Sequence, residues 1–432
     1  MAGWHLPRAA DDAAGDDVIR DDVLVIGGGA IGLSCAQALA EAGRAVRVLE
    51  RDRIGAATSR GNCGTLTPSH ALPLAAPGMI GTALRWMLKA DAPFLVRPRV
   101  DPALWAWLLR FASRCDAGTF RRAIAPKAAI LQASQRLLAE LVANRELDCG
   151  HRRDGLLYVF RDAANLAAAQ RNHALLRELG IAVEHWSGER TEAEEPALLP
   201  GVAGGIFFPG DGHLRPERYT AELARIARQD GAVIDEGVDI TALVRDGEGW
   251  TATAGDGRRF SAREVLLASG PWAARMAKPL GLRLPIVPGK GYSITYARPA
   301  LAPHRPMVLK DLSVCVTAWD DGYRLGSTME FAGYDSCLTR ARLDALERGA
   351  RTALRDPVGP TKREEWFGWR PMTWDDLPIL GAVPQQPGLW LAVGHGMMGI
   401  GMSAATGRLI ADLVTGREPV IDPTPYALAR FG

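Results

Sequence analysis

The sequence contains few cysteines and histidines, and none of them is spaced to build a metal site. The six cysteines include no C-x-x-C pair, and the eight histidines include no H-x-H or H-x-x-x-H spacing. Zinc sites and iron–sulfur clusters depend on such spacings, so we expect no metal centre and no disulfide framework. Scattered free cysteines are typical of a reducing compartment, which predicts a cytoplasmic protein.

Long apolar runs and a strong charge imbalance are also missing. No run of 18 apolar residues occurs, so the sequence predicts no membrane-spanning helix. A net charge of +2 over 432 residues gives no reason to expect nucleic-acid binding. Residues 1–20 contain four aspartates and no apolar core, which predicts a flexible leader rather than a secretory signal.

Positive charge is concentrated in one segment, residues 85–127. Nine Lys and Arg there outnumber three Asp, a net charge of +6, so the rest of the chain has a net charge of −4. The segment includes the Trp-rich sequence PALWAWLLRFA at 102–112. One interpretation is a core helix with a solvated basic face. The other is peripheral contact with the anionic inner face of the cell membrane.

The clearest motif that is present lies at residues 23–51, VLVIGGGAIGLSCAQALAEAGRAVRVLER. An apolar strand leads into Gly27-x-Gly29-x-x-Gly32, and apolar residues at helical spacing follow over 30–42. This pattern predicts a βαβ unit in which the pyrophosphate of a dinucleotide rests on the helix N-terminus.

The second strand of this unit ends in Glu50, whose carboxylate suits the free hydroxyls of a ribose and would repel a 2′-phosphate. The motif therefore disfavours NADP. It leaves NAD and FAD open, because enzymes of both kinds use it.

Three later stretches contain candidate ligand contacts. Residues 57–70 (ATSRGNCGTLTPSH) are rich in glycine and small polar side chains, which suit a flat polar ligand. Residues 393–401 (VGHGMMGIG) join a strand to a helix at 402–415, whose free N–H groups could meet the negative charge of a reduced flavin. Arg370 stands among aromatic residues, either as a stacked structural cation or as a clamp for a carboxylate.

Taken together, the stretches at 57–70, 367–381 and 393–401 and the opening βαβ unit resemble the FAD-dependent D-amino acid oxidase/dehydrogenase family, most of all its bacterial D-amino acid dehydrogenases. The resemblance covers nearly everything after residue 21. It is strongest in NCGTLTPSHALPLAAPG, LKADAPF, GKGYSIT, WRPMTWDDLPILG and GHGMMGIGMSAATG. The segment GSTMEFAGYD is similar to the glycine oxidase branch.

The family has an α/β fold, and the resemblance implies a glutathione-reductase-like FAD-binding Rossmann domain with a mostly antiparallel substrate domain. Helical and strand patterns along the chain place the boundaries between them. We expect an FAD-binding domain formed by 21–75, 201–285 and 366–432, and a substrate-binding domain formed by 76–200 and 286–365.

The resemblance also implies a set of FAD-binding residues. Glu50 and Arg51 would lie at the ribose, Val238 at the adenine, and the 393–401 turn at the pyrimidine edge of the flavin. The full set is Gly27, Gly29, Ala30, Ile31, Gly32, Glu50, Arg51, Thr58, Ser59, Asn62, Cys63, Gly64, Thr65, Val238, Gly270, His395, Gly396, Met397, Met398, Gly399 and Ile400. The branch with covalent FAD has a cysteine near the position of Trp369, and this chain has none, so we expect a non-covalent flavin.

For the substrate, the resemblance matches Arg370 to the arginine that grips the carboxylate, and it makes Tyr292 and His395 the other catalytic candidates. His70 and Ser313 are further substrate-pocket candidates. Relatives often have a tyrosine on the strand around residue 313. Its absence makes D-proline or cis-4-hydroxy-D-proline a candidate substrate.

The implied reaction is oxidation of the Cα–N bond of a D-amino acid by hydride transfer to the flavin, with electrons passed to a quinone or a redox partner. A glycine- or sarcosine-type amine oxidase is an alternative within the family. A nicotinamide dehydrogenase would use the same first motif, and an FAD-carrying subunit of a larger redox complex is the alternative of another class.

Overall fold

The computed structural model of the protein describes residues 19–81, 94–97 and 99–431. The predicted leader lies outside the described residues except for its last two positions, which begin the first strand. Residues 85–93 and 98 of the basic segment lie outside them as well.

The strands of the described part follow the chain in this order: β1 Ile19–Ile26, β2 Val46–Glu50, β3 Thr65–Leu66, β4 Phe94–Val96, β5 Leu156–Phe160, β6 Glu184–Ser187, β7 Gly204–Phe208, β8 Gly212–His213, β9 Val233–Glu236, β10 Ile240–Asp246, β11 Gly249–Ala254, β12 Arg259–Leu267, β13 Val287–Tyr296, β14 Met307–Leu309, β15 Val314–Ala318, β16 Tyr323–Phe331, β17 Lys362–Met372, β18 Ile379–Ala382 and β19 Leu389–Val393.

The α-helices of the same part are α1 Ala30–Glu41, α2 Pro102–Ala112, α3 Ala117–Asn144, α4 Ala163–Gln170, α5 His173–Glu178, α6 Gly188–Glu194, α7 Pro216–Gln229, α8 Ala273–Ala277, α9 Arg340–Arg351 and α10 Gly399–Thr415. Local chemistry sets several of their starts. The Asp101 carboxylate, for example, accepts a hydrogen bond from the Leu104 N–H and caps α2, whose first residue is Pro102.

The first main sheet has the order β10-β11-β12-β1-β2-β9, and β19 joins β12 while β18 pairs with β19. Its centre, from β12 through β1 and β2 to β9, is parallel. Val23, Leu24 and Val25 of β1 are fully buried, as expected for a central parallel strand covered on both faces. Apolar residues of α1 and α10 pack in one core on this sheet.

The second main sheet has the order β17-β13-β16-β15-β14-β5-β7-β6, with β4 beside β16. Most of its pairs are antiparallel; β14 with β5 and β16 with β4 are the parallel ones. Helix α9 packs on one face through Leu343 and Leu346. The predicted α/β fold with a mostly antiparallel second sheet is therefore confirmed.

Sheet membership along the chain bears on the predicted domains. Strands of the first sheet come from residues 19–50, 233–267 and 379–393, and those of the second from 94–208 and 287–372. Gly204–Phe208, which we placed in the FAD-binding segments, pairs with β5 and β6 in the second sheet. The division into domains itself stays a prediction.

Candidate active site

A cavity of about 750 Å³ is bordered by residues of both main sheets and by the loops between them. This volume lies within the range of about 300–1,000 Å³ that is usual for small-molecule and cofactor sites. All of the predicted site residues border it except Gly32 and Gly64.

The N-terminus of α1 forms one end of the cavity. Gly27 has φ +115°, a backbone conformation that side chains disfavour, and it directs the chain from β1 into α1. A Cβ at Gly32 would lie 1.9 Å from the Gly27 carbonyl oxygen, so only glycine allows the helix to start this close to the strand. The Ala30 N–H donates to the Ser59 hydroxyl over 3.1 Å. The helix end and the 57–70 stretch thus meet, as a pyrophosphate site requires.

Glu50 lies beside this helix end. Its carboxylate accepts hydrogen bonds from the Gly28 N–H at 2.7 Å and from the Asp52 N–H at 2.9 Å. The Val238 N–H donates to the Glu50 carbonyl oxygen over 2.8 Å. The acidic side chain and Val238 are therefore neighbours at the cavity wall, although 188 residues separate them in sequence.

The loop after β2 is held in place by the buried Arg324. Its guanidinium donates to the Arg60 carbonyl oxygen at 2.8 Å and to the Asn62 carbonyl oxygen at 2.7 Å. It also pairs with Glu217. Its Nε donates to the Thr295 hydroxyl at 2.9 Å as well. Because four partners fix this one cation, the loop keeps Cys63 and Asn62 at the cavity.

Cys63 and Cys315 form a pair of thiols in the cavity wall. Cys315 lies opposite Gly326 across β15 and β16, and a Cβ at Gly326 would lie 2.5 Å from the Cys63 sulfur. The neighbouring Cys315 thiol, together with the charges of Arg324 and Arg370, lowers the pKa of the Cys63 thiol. The sequence contains no signal for this pair.

The turn before α10 borders the cavity at His395, Gly396 and Met397. His395 is buried and its Nε2 lies 3.0 Å from the Thr406 hydroxyl within α10. Burial lowers the pKa of His395 to about 3, so the imidazole is neutral at physiological pH. The ring therefore fixes the turn to the first part of α10, and the catalytic role of His395 stays a prediction.

Arg370 lies on β17 and points across Gly291, where a Cβ would lie 2.4 Å from the guanidinium carbon. Its Nη1 donates to the Thr328 carbonyl oxygen over 2.6 Å. Burial lowers its pKa, and no carboxylate among the described residues offsets that cost. Nor does any described aromatic ring stack on it. Arg370 is therefore a half-buried cation at the cavity without a carboxylate partner among the described residues, which favours the carboxylate clamp over the stacked structural cation.

Tyr292 borders the cavity, but its side chain belongs to the other face of the sheet. The hydroxyl donates to Glu330 at 2.7 Å and contacts the Thr339 hydroxyl at 3.0 Å. The ring lies in the core beneath α9. Since successive residues of a strand face opposite ways, Gly291 and Tyr292 cannot both face Arg370. The predicted catalytic and substrate-binding role of the Tyr292 hydroxyl does not fit this arrangement.

Ser313 lies in the turn before β15, with φ +53°, and not on a strand as we expected. Ser327, on β16, also borders the cavity and has φ +136°. Backbone strain of this kind persists where the surrounding structure imposes it and is concentrated at functional sites. Ser327 precedes Thr328, whose carbonyl accepts from Arg370, and Ser313 precedes Val314, which pairs with Ser327. The strained backbone is therefore close to Arg370, which supports the location of the site.

Four cavity residues that sequence reasoning missed are brought in by the fold. The ring of Trp366 covers Gly61, where a Cβ would lie 2.0 Å from it. The Tyr158 hydroxyl lies 2.9 Å from His70 Nε2, and Lys310 lies over the Tyr158 ring. The fourth is Cys315. None of the four belongs to a sequence motif. Only Lys310, as a cation, and Trp366, as an aromatic residue close to Arg370 in sequence, are residue types that suggest a ligand contact.

Within the described ranges, no group of three or more His, Cys, Asp or Glu is arranged to hold a metal ion. The helices of those ranges include none that is long and apolar enough to cross a membrane.

Comparison with known proteins agrees with this geometry. The family model described as FAD dependent oxidoreductase (DAO) matches residues 22–413. A protein of Paramagnetospirillum magneticum named D-amino acid dehydrogenase is 36% identical over 95% of this chain and 98% of its own length. A protein of the same name from Methylobacterium nodulans is 34% identical over 95% of this chain and 99% of its own.

Solved structures share the fold. Glycine oxidase from Geobacillus kaustophilus superposes with a TM-score of 0.76 at 24% identity, over 96% of this chain and 99% of that one. L-proline dehydrogenase from P. horikoshii has a TM-score of 0.71 at 18% identity, over 96% of this chain and 98% of that one. The chain thus belongs to the DAO family of FAD-dependent oxidoreductases.

Proposed function

We propose that this oxidoreductase oxidises the Cα–N bond of a D-amino acid and passes the electrons to a quinone or another acceptor. The observation that supports this best is the half-buried Arg370, which has no carboxylate partner among the described residues and borders the same cavity as the α1 N-terminus. The relatives that match over nearly the whole chain are named for D-amino acids, and this adds to the proposal.

The residues present fit FAD. The α1 N-terminus, with Ser59 against it, offers a cradle for the pyrophosphate, and Glu50 suits the ribose. The buried Ser269 hydroxyl, also at the cavity, has no hydrogen-bond partner among the described residues. The α10 N-terminus offers N–H groups to the far end of the ligand. When bound, FAD supplies the acceptor for the hydride that leaves the substrate Cα.

The chain's own residues would bind and orient the substrate. Arg370 would hold the α-carboxylate by a bidentate hydrogen bond, and this fixes the Cα–H bond relative to the flavin site. The described residues offer no strong base beside Arg370. The amine therefore has to react as the neutral form, with desolvation in the buried pocket favouring loss of its proton.

Substitution of Arg370 tests this proposal. Arg370→Ala should lower kcat/KM for D-amino acids roughly 100-fold or more, mainly through KM, because a buried ion pair is worth about 2–5 kcal/mol. Dye reduction by the purified yellow protein with a panel of D- and L-amino acids is the assay. Arg258→Ala, an exposed arginine paired with Asp256, is the control. Unchanged kinetics in the Arg370 variant, with flavin bound, would refute the assignment.

The same panel separates the family alternatives. D-Proline and cis-4-hydroxy-D-proline test for a cyclic substrate. Such a substrate is a candidate because Ser313 stands near the place where relatives often have a tyrosine. Glycine and sarcosine test for an amine oxidase. Activity of the isolated chain with an artificial dye would argue against a subunit that works only inside a larger complex. L-Amino acids should be poor substrates.

We further propose that electrons leave to a quinone at the inner face of the cell membrane, through contact at α2. Trp105 and Leu109, one turn apart on α2, are 46% and 71% exposed, and Val100, just before the helix, is 100% exposed. Exposed apolar residues of this kind are typical of helices that lie at a membrane interface. Arg121 and Arg122, on α3, are exposed nearby in sequence. Arg110 and Arg114 stack on Trp374 and keep their positive charge beside this surface.

Co-sedimentation with vesicles tests the membrane contact. The protein should bind phosphatidylcholine vesicles that contain phosphatidylglycerol, and should bind less when Arg121 and Arg122 are changed to Gln or Leu109 to Ser. Each basic residue near an anionic surface is worth about 1 kcal/mol. Arg258→Ala again serves as the control. Absence of binding at low salt would rule out this contact.

A further inference from the structure

Two cysteines that are far apart in sequence meet in the wall of the cavity. Cys63 lies in the loop after β2, and Cys315 lies on β15. Both residues border the cavity, and both are half-buried. A small molecule that enters the cavity can therefore reach either thiol.

Gly326 makes room for the contact between these thiols. It pairs with Cys315 across β15 and β16, so side chains at the two positions would project from the same face of the sheet, with Cβ atoms about 4.5–5.5 Å apart. A Cβ at Gly326 would lie 2.5 Å from the Cys63 sulfur. The Cys63 sulfur therefore occupies the place of the missing side chain, directly beside Cys315.

Hydrogen bonds fix the loop on both sides of Cys63. Arg324, on β16, donates to the carbonyl oxygens of Arg60 and Asn62. The Gly64 N–H donates to the side-chain oxygen of Asn62 over 2.7 Å. Since the strand that pairs with β15 also holds the loop, the contact between the two thiols is a fixed feature of the fold.

The two thiols differ in acidity. The neighbouring Cys315, together with the charges of Arg324 and Arg370, lowers the pKa of the Cys63 thiol. The pKa of the Cys315 thiol is raised, first by the neighbouring Cys63 and then by burial. The thiolate is the form of cysteine that reacts as a nucleophile, so Cys63 is the more reactive of the two. An accessible thiol of lowered pKa beside a second thiol is the arrangement of a redox-sensing cysteine pair.

We propose that Cys63 and Cys315 form an oxidisable dithiol whose reagent is a hydroperoxide, with Cys63 oxidised first and Cys315 closing the disulfide. The Cys63 sulfur attacks one oxygen of hydrogen peroxide, the O–O bond breaks, and a sulfenic acid forms as hydroxide leaves. The Cys315 sulfur then attacks the sulfenic sulfur, an S–S bond replaces the S–O bond, and the hydroxyl group leaves as water with the Cys315 proton. The dithiol loses two electrons and two protons in all, and the peroxide becomes two molecules of water.

This modification site goes beyond the proposed function and acts on the same cavity. Formation of the bond draws two sulfur atoms from contact to covalent distance, so the loop or β15 has to move. Arg370 lies over Gly291 on β13, and β13 pairs with β16. A displacement of about 1 Å in a binding site can lower a reaction rate about 100-fold. Oxidation of the pair is therefore expected to lower activity, and reduction is expected to restore it.

Peptide mass spectrometry of the FAD-containing protein tests the site. Hydrogen peroxide in modest excess is added to the reduced protein, and the remaining free thiols are blocked with iodoacetamide. We expect peptides linked through Cys63 and Cys315 to form before the exposed Cys337 is oxidised, and dithiothreitol to remove the link. Cys337→Ala is the matched control and should form the link as the wild type does.

Two variants separate the link from oxidation of a single thiol. Cys315→Ala should form no link, and its Cys63 should stop at the sulfenic acid, which dimedone captures. Gly326→Ala keeps both cysteines but places a methyl group where the Cys63 sulfur lies. Because a disulfide requires a specific geometry, this variant should form the link at least about tenfold more slowly than the wild type.

Activity is a second readout. The kcat/KM for dye reduction with a D-amino acid should fall about tenfold or more as the link forms, and dithiothreitol should restore it. A link that leaves kcat/KM unchanged would refute the effect on the substrate site. If Cys337 is oxidised first, or if Cys63 is oxidised in the wild type without a link to Cys315, the dithiol is refuted. If no D-amino acid is oxidised, the proposed function fails, while the linked peptides still decide this inference.

Discussion

Asp211 allows a prediction whose magnitude can be worked out from the structure. It lies in the turn between β7 and β8, is 1% exposed, and accepts hydrogen bonds from the Ser69 N–H and hydroxyl. Burial raises its pKa to about 7, and the hydrogen bonds from Ser69 only partly offset this. In the unfolded chain, the pKa of an aspartate is about 3.9.

The folded state therefore binds the Asp211 proton more tightly than the unfolded state does. Between about pH 4 and pH 7 the native protein holds more protons, so its free energy of unfolding falls as pH rises through this range and is flat above it. A difference of about three pKa units corresponds to about 4 kcal/mol, at 1.36 kcal/mol per unit. At pH 8 the full cost of the buried carboxylate is present.

Asp211→Asn removes that cost because the amide cannot ionise and can still accept from the Ser69 N–H. The free energy of unfolding of the variant relative to the wild type should rise by about 4 kcal/mol between pH 4 and pH 8, with the change centred between pH 4 and pH 7. Urea denaturation at intervals of one pH unit measures it. Asp246→Asn, at an exposed aspartate on β10, is the control and should show no such trend.

Two results would refute this reasoning. Parallel pH profiles of wild type and Asp211→Asn would mean that the carboxyl titrates alike in the folded and unfolded states. If Asp211→Asn instead loses stability relative to the wild type as pH rises, the Asp211 side chain is an ionised carboxylate with a partner in the folded protein. Either outcome would also question the tight contact of this turn with the Ser69 segment, which leads to His70.

Three further predictions concern the cofactor site. Gly32→Val would press a side chain against the Gly27 carbonyl oxygen, so the purified variant should lack the flavin absorbance near ~450 nm. Gly210→Ala is the control and should keep this absorbance, because a Cβ there meets open space. A yellow Gly32→Val variant would contradict the assignment. Acid precipitation of the holoprotein should release all flavin into the supernatant, and flavin in the pellet would show covalent attachment. In flavin-free protein, iodoacetamide should alkylate Cys63 before Cys35. The pKa of the Cys63 thiol is lowered, whereas burial raises the pKa of the Cys35 thiol. Peptide mass spectrometry measures the order of alkylation.

Much of the fold was predictable because its signals are local. The β1–α1–β2 unit follows from apolar periodicity and three glycines within about 30 residues, and the helix over Pro102–Ala112 follows from its capping aspartate and its apolar spacing. The 393–401 turn was predicted in the same way. Each of these elements is stabilised by hydrogen bonds between neighbours in sequence, and neighbours in sequence are what a pattern can show.

The sequence did not predict which face of β13 each side chain occupies at the site. Tyr292 and Gly291 are adjacent, and a shift of one residue exchanges the cavity face for the core face. The pattern GKGYSIT does not show that β13 is buried on both faces, so the sequence could not show that the Tyr292 hydroxyl meets Glu330. The neutral, helix-bonded state of His395 likewise depends on the packing of α10.

The sequence by itself determined that the cofactor is a dinucleotide and where its pyrophosphate is anchored, because a pyrophosphate site is built from consecutive residues at one strand–helix junction. Only the tertiary structure decided which side chains share the cavity with Arg370. Cys63, Lys310 and Arg370 come from separate segments of the chain and are brought together by strand pairing and by the loop that Arg324 holds. The position of Arg370 at the cavity without a carboxylate partner among the described residues arises only at that stage, because it depends on strands that are distant in sequence.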